Sequence, residues 1–110
     1  MEKEKSVVIL GAGSWGTALS IVLADNDVEV RLWSKDIKQV EEINSTRKNE
    51  FYLPGIVLPE KVTAYHDMKE AVNGIKTIVV AIPTSGIREV MRRLLDCLEE
   101  PVTIVHVSKG

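Results

Sequence analysis

A chain of 110 residues with 45% hydrophobic and 27% charged side chains fits one globular domain, long enough to bury a core but short for a complete enzyme. Its formal net charge of -2 gives no electrostatic basis for binding nucleic acid or an anionic membrane, so any bound anion must be held by local features. The lone cysteine, Cys97, excludes an internal disulfide; with no signal-peptide pattern and no apolar run near the ~20 residues that cross a bilayer, a soluble cytoplasmic chain is expected.

Val7 to Leu10 is a continuous apolar run, the pattern of a strand covered on both faces. Trp15, Ala18, Leu19, Val22 and Leu23 then repeat at helical spacing, with Asp25-Asn26-Asp27 as the exit. Val28, Val30 and Leu32 alternate as a second strand. Asp36 with Gln39 reads as a capping pair opening a helix whose buried stripe is Ile37, Val40 and Ile43. A third, weaker strand lies near Val62 to Tyr65. Asp67 with Glu70 caps a short helix that ends at Gly74. Thr77 to Ile82 is a further buried strand. Ile87, Val90, Met91, Leu94, Leu95 and Leu98 form the cleanest amphipathic pattern; Pro101 breaks that helix before a last strand, Val102 to Val107.

Strand alternating with helix implies right-handed crossovers and an α/β fold with a doubly wound parallel sheet, strand order 3-2-1-4-5 and the first strand central. No internal repeat or low-complexity segment is present. The irregular stretch Ser45 to Glu60, with Pro54, Gly55 and Pro59, is long for so small a domain and is expected to serve function.

Gly11-Ala12-Gly13-Ser14-Trp15-Gly16 has the G-x-G-x-x-G spacing between the first strand and the first helix, the Rossmann-like context of a dinucleotide-binding turn. Gly11 permits the tight turn. Gly13 lets backbone approach a pyrophosphate without a Cβ in the way, and Gly16 lets the helix lie close to the sheet. The unpaired N–H groups of the first helical turn would face the phosphates, helped by the helix dipole. A strand–helix turn with no ligand would use the same glycines, and Ser14 and Trp15 would then be cap and packing residues. The surrounding βαβ pattern favours the dinucleotide, with Trp15 in contact with it.

About 20 residues beyond these glycines, an acidic residue would read the ribose 2′-hydroxyl of NAD, whereas a basic one tolerates the 2′-phosphate of NADP. Trp33-Ser34-Lys35-Asp36 occupies that place. The strand end has no acid, and Ser34 and Lys35 suit a phosphate, which points to NADPH. Asp36 leaves NADH open, although its expected work is capping the next helix; Lys35 as a plain surface lysine is the alternative.

Other reactive residues read as structural. Cys97 sits between apolar neighbours as a packing residue, His66 precedes a cap, and His106 in the last strand is expected to be a hydrogen-bonded structural histidine. Arg88, Arg92 and Arg93 look like a solvated helix face. No His, Cys, Asp and Glu cluster has metal-ligand spacing, so no metal site is expected.

The run Gly11-Ala12-Gly13-Ser14-Trp15-Gly16-Thr17-Ala18-Leu19 resembles the opening of the bacterial NAD(P)-dependent glycerol-3-phosphate dehydrogenases. Trp33, Tyr52-Leu53-Pro54, Ala81-Ile82-Pro83-Thr84 and Ser108-Lys109-Gly110 resemble that family's later motifs in order, so the likeness covers essentially the whole chain. It implies reduction of dihydroxyacetone phosphate to sn-glycerol 3-phosphate, the entry into phospholipid synthesis. It also implies that Ser14, Trp15, Lys35, Tyr52 and Lys109 contact the cofactor, with Lys109 reaching the phosphorylated substrate as well. Lys109 follows the last strand's carboxyl end, where open parallel sheets place ligands and where a lysine can polarise a carbonyl oxygen. Asp25-Asn26-Asp27 departs from the family, which usually has a glycine in that turn.

Residues 1–110 are thus expected to form one dinucleotide-binding domain. The resembled family adds a C-terminal helical substrate domain supplying the catalytic base, without which this chain is expected to be inactive. A different β-hydroxyacid-type dehydrogenase and a stand-alone nucleotide sensor share the glycine loop and stay open, as does self-association into a homo-oligomer.

Overall fold

The computed structural model describes residues 5–107. Strands β1 (Ser6–Leu10), β2 (Glu29–Trp33), β3 (Val62–Tyr65), β4 (Thr77–Val80) and β5 (Thr103–His106) alternate with helices α1 (Ser14–Asp25), α2 (Ile37–Thr46), α3 (Met68–Val72) and α4 (Thr84–Cys97). All neighbouring strands pair in parallel, in the order β3-β2-β1-β4-β5. This is the doubly wound arrangement expected from the alternation of elements.

The period-2 pleat of β1 divides the core in two. Ile9 points into a cluster with Leu32, Val62 and residues of α1 and α2, such as Ala24, Val40 and Ile43. Val8 and Leu10 point the other way, joining Trp33, Ile78 and Val80 with Met68 and Ala71 of α3 and Val90 and Leu94 of α4. Both faces of β1 are therefore covered, which is why its sequence is continuously apolar rather than alternating.

Three helical stripes differ from the sequence pattern. The buried face of α1 consists of Gly16, Thr17, Ser20 and Ala24, whereas Trp15 and Val22 stand out to solvent. The helix lies close to the sheet along this line of small side chains, while Leu19 and Leu23 of the expected stripe pack half-buried against the core beside it. The two buried hydroxyls are satisfied locally, Thr17 Oγ1 by the Ala12 carbonyl and Ser20 Oγ by the Thr17 carbonyl. On α2 the buried residues are Val40 and Ile43, while Ile37 is exposed in the first turn, before the helix reaches the sheet. On α4 Val90 and Leu94 are buried, but Leu95, a further 100° around, is exposed.

The element ends also refine the sequence reading. Asp36 caps α2 by accepting from the Lys38 amide, but Gln39 does not return the bond; its side chain is used elsewhere. Helix α2 runs through Ser45 and Thr46, so the irregular loop starts at Arg47, which takes a left-handed φ of 61°. Asp67 caps α3 through the Lys69 amide, and Gly74 leaves that region at φ 77°. After α1 the left-handed position falls on Asp27, at φ 69°. Strand β4 stops at Val80, two residues before the expected Ile82, and β5, within the expected last strand, is an exposed edge.

Candidate functional site

Strand order reverses between β2 and β4 on either side of β1, so the connections leaving β1 and β4 part company and open a crevice at the strands' carboxyl ends. A cleft of about 800 Å³ lies there. Its floor is Gly11 to Gly16, one wall is Trp33 to Asp36 with Gln39 and Tyr52, and the other is Ala81 to Gly86. A second cavity of about 510 Å³ lies at the opposite end of the sheet, between the segments that enter β4 and β5, and has no glycine loop.

The three glycines act differently. Gly11 has φ 118°, and a Cβ there would come 2.5 Å from the Ala81 carbonyl oxygen. The chain leaving β1 is thus wedged against the chain leaving β4; the Gly11 amide donates to the Trp33 carbonyl and the Ala81 amide to the Leu10 carbonyl, both at 2.9 Å. A Cβ on Gly16 would overlap the Gly11 carbonyl oxygen. At Gly13, by contrast, an added Cβ would meet nothing nearer than the Tyr52 ring, 4.0 Å away. Gly11 and Gly16 are required by the protein's own backbone. Gly13 is not; it faces the cleft, with only the Tyr52 ring in van der Waals reach.

Gly13 is also the N-cap of α1 and offers no side-chain acceptor, so the amides of the first turn keep free donors at the positive end of the helix dipole. Trp15 and Tyr52 line the same cleft and are about half exposed. Helix α4 likewise begins at the cleft with Pro83 as N-cap and no side-chain acceptor, followed by Thr84 and Ser85.

The end of β2 is tightly organised. Trp33 is buried and its Nε1 donates to the His66 carbonyl at 2.8 Å. Ser34 is buried; its hydroxyl donates to Gln39 Oε1 at 2.5 Å and accepts the Asp36 amide at 3.1 Å. Asp36 is occupied as the α2 cap. Lys35 is exposed on the cleft wall, its carbonyl 3.2 Å from His66 Nε2. The cationic head of Lys35 is the one charged group of this turn not engaged in capping.

Beneath the floor lies a polar cluster that sequence reasoning missed. The Ala12 carbonyl accepts from Gln39 Nε2 at 2.6 Å, Asn49 Nδ2 at 3.0 Å and Thr17 Oγ1 at 3.3 Å. Asn49 is 1% exposed. Nothing in a polar loop sequence marks one asparagine as buried; the segment's length was the only sign that it did something. Two further residues line the cleft that the sequence did not place there. Arg93, expected on a solvated face, reaches the cleft rim and pairs with Glu89 at 3.7 Å. His106, expected as a structural histidine, is exposed at the end of β5 and lines the cleft. Cys97 packs partly buried against the α3–α4 core, as expected. Lys109 lies outside the described residues.

The sequence profile described as NAD-dependent glycerol-3-phosphate dehydrogenase N-terminus matches residues 6–110. The chain belongs to this family. It is 55% identical over 106 residues to the glycerol-3-phosphate dehydrogenase [NAD(P)+] of Geobacillus thermodenitrificans, covering 96% of this chain and 31% of that one. Among solved structures, glycerol-3-phosphate dehydrogenase from Coxiella burnetii superposes with a TM-score of 0.91 at 37% identity, over 97% of this chain and 33% of that one. The enzyme from Saccharomyces cerevisiae gives 0.87 at 30%, over 98% and 34%. The domain thus spans about a third of the length of the relatives it matches, and the family uses NAD(P). Among the described residues, no helix is long and apolar enough to cross a membrane, and no group of His, Cys, Asp and Glu could hold a metal ion.

Proposed function

We propose that this domain binds NAD(P)H in the cleft above Gly13, as the cofactor-binding part of a cytoplasmic enzyme reducing dihydroxyacetone phosphate to sn-glycerol 3-phosphate. The observation that supports it most directly is the contrast among the glycines. Gly13 has no steric reason within the protein to lack a side chain, yet it fronts a cleft beside the free amides of a helix start. A pyrophosphate approaching those amides would explain the missing Cβ.

In this reading the amides at Gly13, Ser14 and Trp15 hold the pyrophosphate, and Gly11 and Gly16 shape the turn that presents them. Trp15 and Tyr52 offer half-exposed aromatic surface to the dinucleotide. Lys35 stands where a 2′-phosphate would lie, so NADPH is preferred over NADH. The bound nicotinamide supplies the hydride. Lys109, just past β5, reaches substrate phosphate or polarises its carbonyl oxygen, while the base comes from the following domain. Phosphorylated substrate and dinucleotide are both anions, and each is held by local donors, because the chain's net charge of -2 attracts neither.

Calorimetric titration of the chain with NADPH and NADH tests the binding, and NADPH oxidation with dihydroxyacetone phosphate in a full-length enzyme bearing this domain tests the reaction. Folded protein that binds neither dinucleotide overturns the proposal.

A further inference from the structure

We propose that Asn49 is a positioning residue for dinucleotide binding, fixing the Ala12–Gly13 peptide and the turn that carries Tyr52 as one rigid unit. The inference rests on the reading of the cleft as a dinucleotide site and adds to it a residue that touches no ligand.

Both halves of Asn49 are engaged. Its side-chain amide donates to the Ala12 carbonyl at 3.0 Å and to Thr17 Oγ1 at 2.8 Å, while its Oδ1 accepts from Gln39 Nε2 at 3.2 Å. Its backbone carbonyl accepts the amides of Tyr52 at 3.2 Å and Leu53 at 2.8 Å. One buried residue therefore ties the glycine loop to the loop that places an aromatic ring over Gly13. No buried side-chain nitrogen or oxygen lacks a partner among the described residues, so the cluster is closed and has no slack.

The functional consequence follows from peptide planarity. No cis peptide occurs among the described residues, so the Ala12 carbonyl and the Gly13 N–H point in opposite directions across one rigid plane. Holding the carbonyl down into the cluster holds the Gly13 N–H up, away from it. Without those donors, a buried carbonyl in a glycine-flanked peptide would rotate to find other partners, and the N–H would turn with it. Asn49 thus sets the direction of an amide that it does not touch. Gln39 supports the same carbonyl from α2.

The test uses the full 110-residue chain with Asn49→Ser and Gln39→Met, and reads NADH affinity, the amide nitrogen–proton NMR signals and thermal stability. Asn49→Ser should weaken NADH binding about tenfold, and Gln39→Met by several-fold. The Gly13 and Tyr52 amide signals should broaden or split in Asn49→Ser, with the signals of β1 and β4 unmoved; a merely structural role would instead lower stability and leave the Gly13 amide and the affinity of the folded fraction unchanged. Should Asn49→Ser not fold, Gln39→Met, at a half-buried site, decides the matter. Folded variants with wild-type affinity and an undisturbed Gly13 signal overturn the positioning role. Wild-type protein that fails to bind NADH overturns the dinucleotide reading itself, a separate result.

Discussion

The Ser34 hydroxyl donates to Gln39 Oε1 at 2.5 Å. It also accepts the Asp36 amide, so a residue that the sequence offers as a phosphate ligand is already spent inside the protein. Asp36 is spent too, on the Lys38 amide. On the proposed function, discrimination between NADPH and NADH at the end of β2 is therefore assigned to Lys35.

Lys35→Glu should shift the NADPH-to-NADH affinity ratio at least tenfold toward NADH, because a carboxylate repels the 2′-phosphate and accepts from a free ribose hydroxyl. Ser34→Ala should leave that ratio within about twofold while lowering stability by about 1 kcal/mol, the worth of an ordinary hydrogen bond. Titrating both variants with both cofactors checks this. An unchanged ratio in Lys35→Glu makes it a plain surface lysine.

The glycines divide into a pair required by the protein's own backbone, Gly11 and Gly16, and Gly13, to which the proposed function gives the binding role. Gly13→Val should fold with a melting temperature near that of the parent, since its Cβ comes no nearer than van der Waals contact with the Tyr52 ring at 4.0 Å, and should lose measurable dinucleotide binding. Gly16→Val should cost several kcal/mol or fail to fold, because its side chain would be driven into the Gly11 carbonyl. Thermal melts beside calorimetric titrations separate the two outcomes, and equal affinity in Gly13→Val would refute the pyrophosphate position.

Much of this was legible in the sequence, for physical reasons that can be named. Val7 to Leu10 reads as a central strand because both of its faces are covered, and the glycine spacing reads correctly because it sits between that strand and a helix. Helix α1 misleads in part: Leu19 and Leu23 pack against the core as the periodicity expects, but the fully buried line is the small set Gly16, Thr17, Ser20 and Ala24, and Trp15 and Val22 face solvent. Asn49 and Gln39 were illegible as a unit: one lies in an irregular loop, the other looked like half of a capping box, and only the fold brings both to the Ala12 carbonyl.

Lys109→Ala, made in a full-length enzyme containing this domain, should lower kcat far more than it weakens NADPH binding. A lysine that polarises a substrate carbonyl acts chiefly in the transition state, and losing one such interaction costs on the order of a hundredfold. Steady-state kinetics beside cofactor titration measure the split. Activity within a few-fold of the parent would remove Lys109 from the reacting centre.

Asp27 and Arg47 both hold left-handed backbone, at φ 69° and 61°, yet glycine should act oppositely at the two positions. Asp27 is highly exposed, and its contact is a 3.5 Å ion pair with Lys61, of the solvent-screened kind that contributes little. Asp27→Gly relieves the Cβ strain at small loss and should raise stability by about 0.5 kcal/mol. Arg47 is different, because its guanidinium donates to the carbonyls of Pro59 and of Val62, the latter at 2.6 Å, and its own carbonyl accepts the Leu58 amide at 2.7 Å. It fastens both ends of the loop that contains Asn49 and Tyr52. Arg47→Gly gains the same relief but loses charge-assisted bonds in a partly buried setting, so stability should fall by about 2 kcal/mol. Dinucleotide affinity should fall with it, because the loop that holds Tyr52 over Gly13 is released, whereas Asp27→Gly, on the far side of α1 from the cleft, should leave affinity unchanged. Chemical denaturation and NADH titration of the two variants side by side test the argument. It fails if Arg47→Gly is as stable as Asp27→Gly, or if the two bind NADH alike.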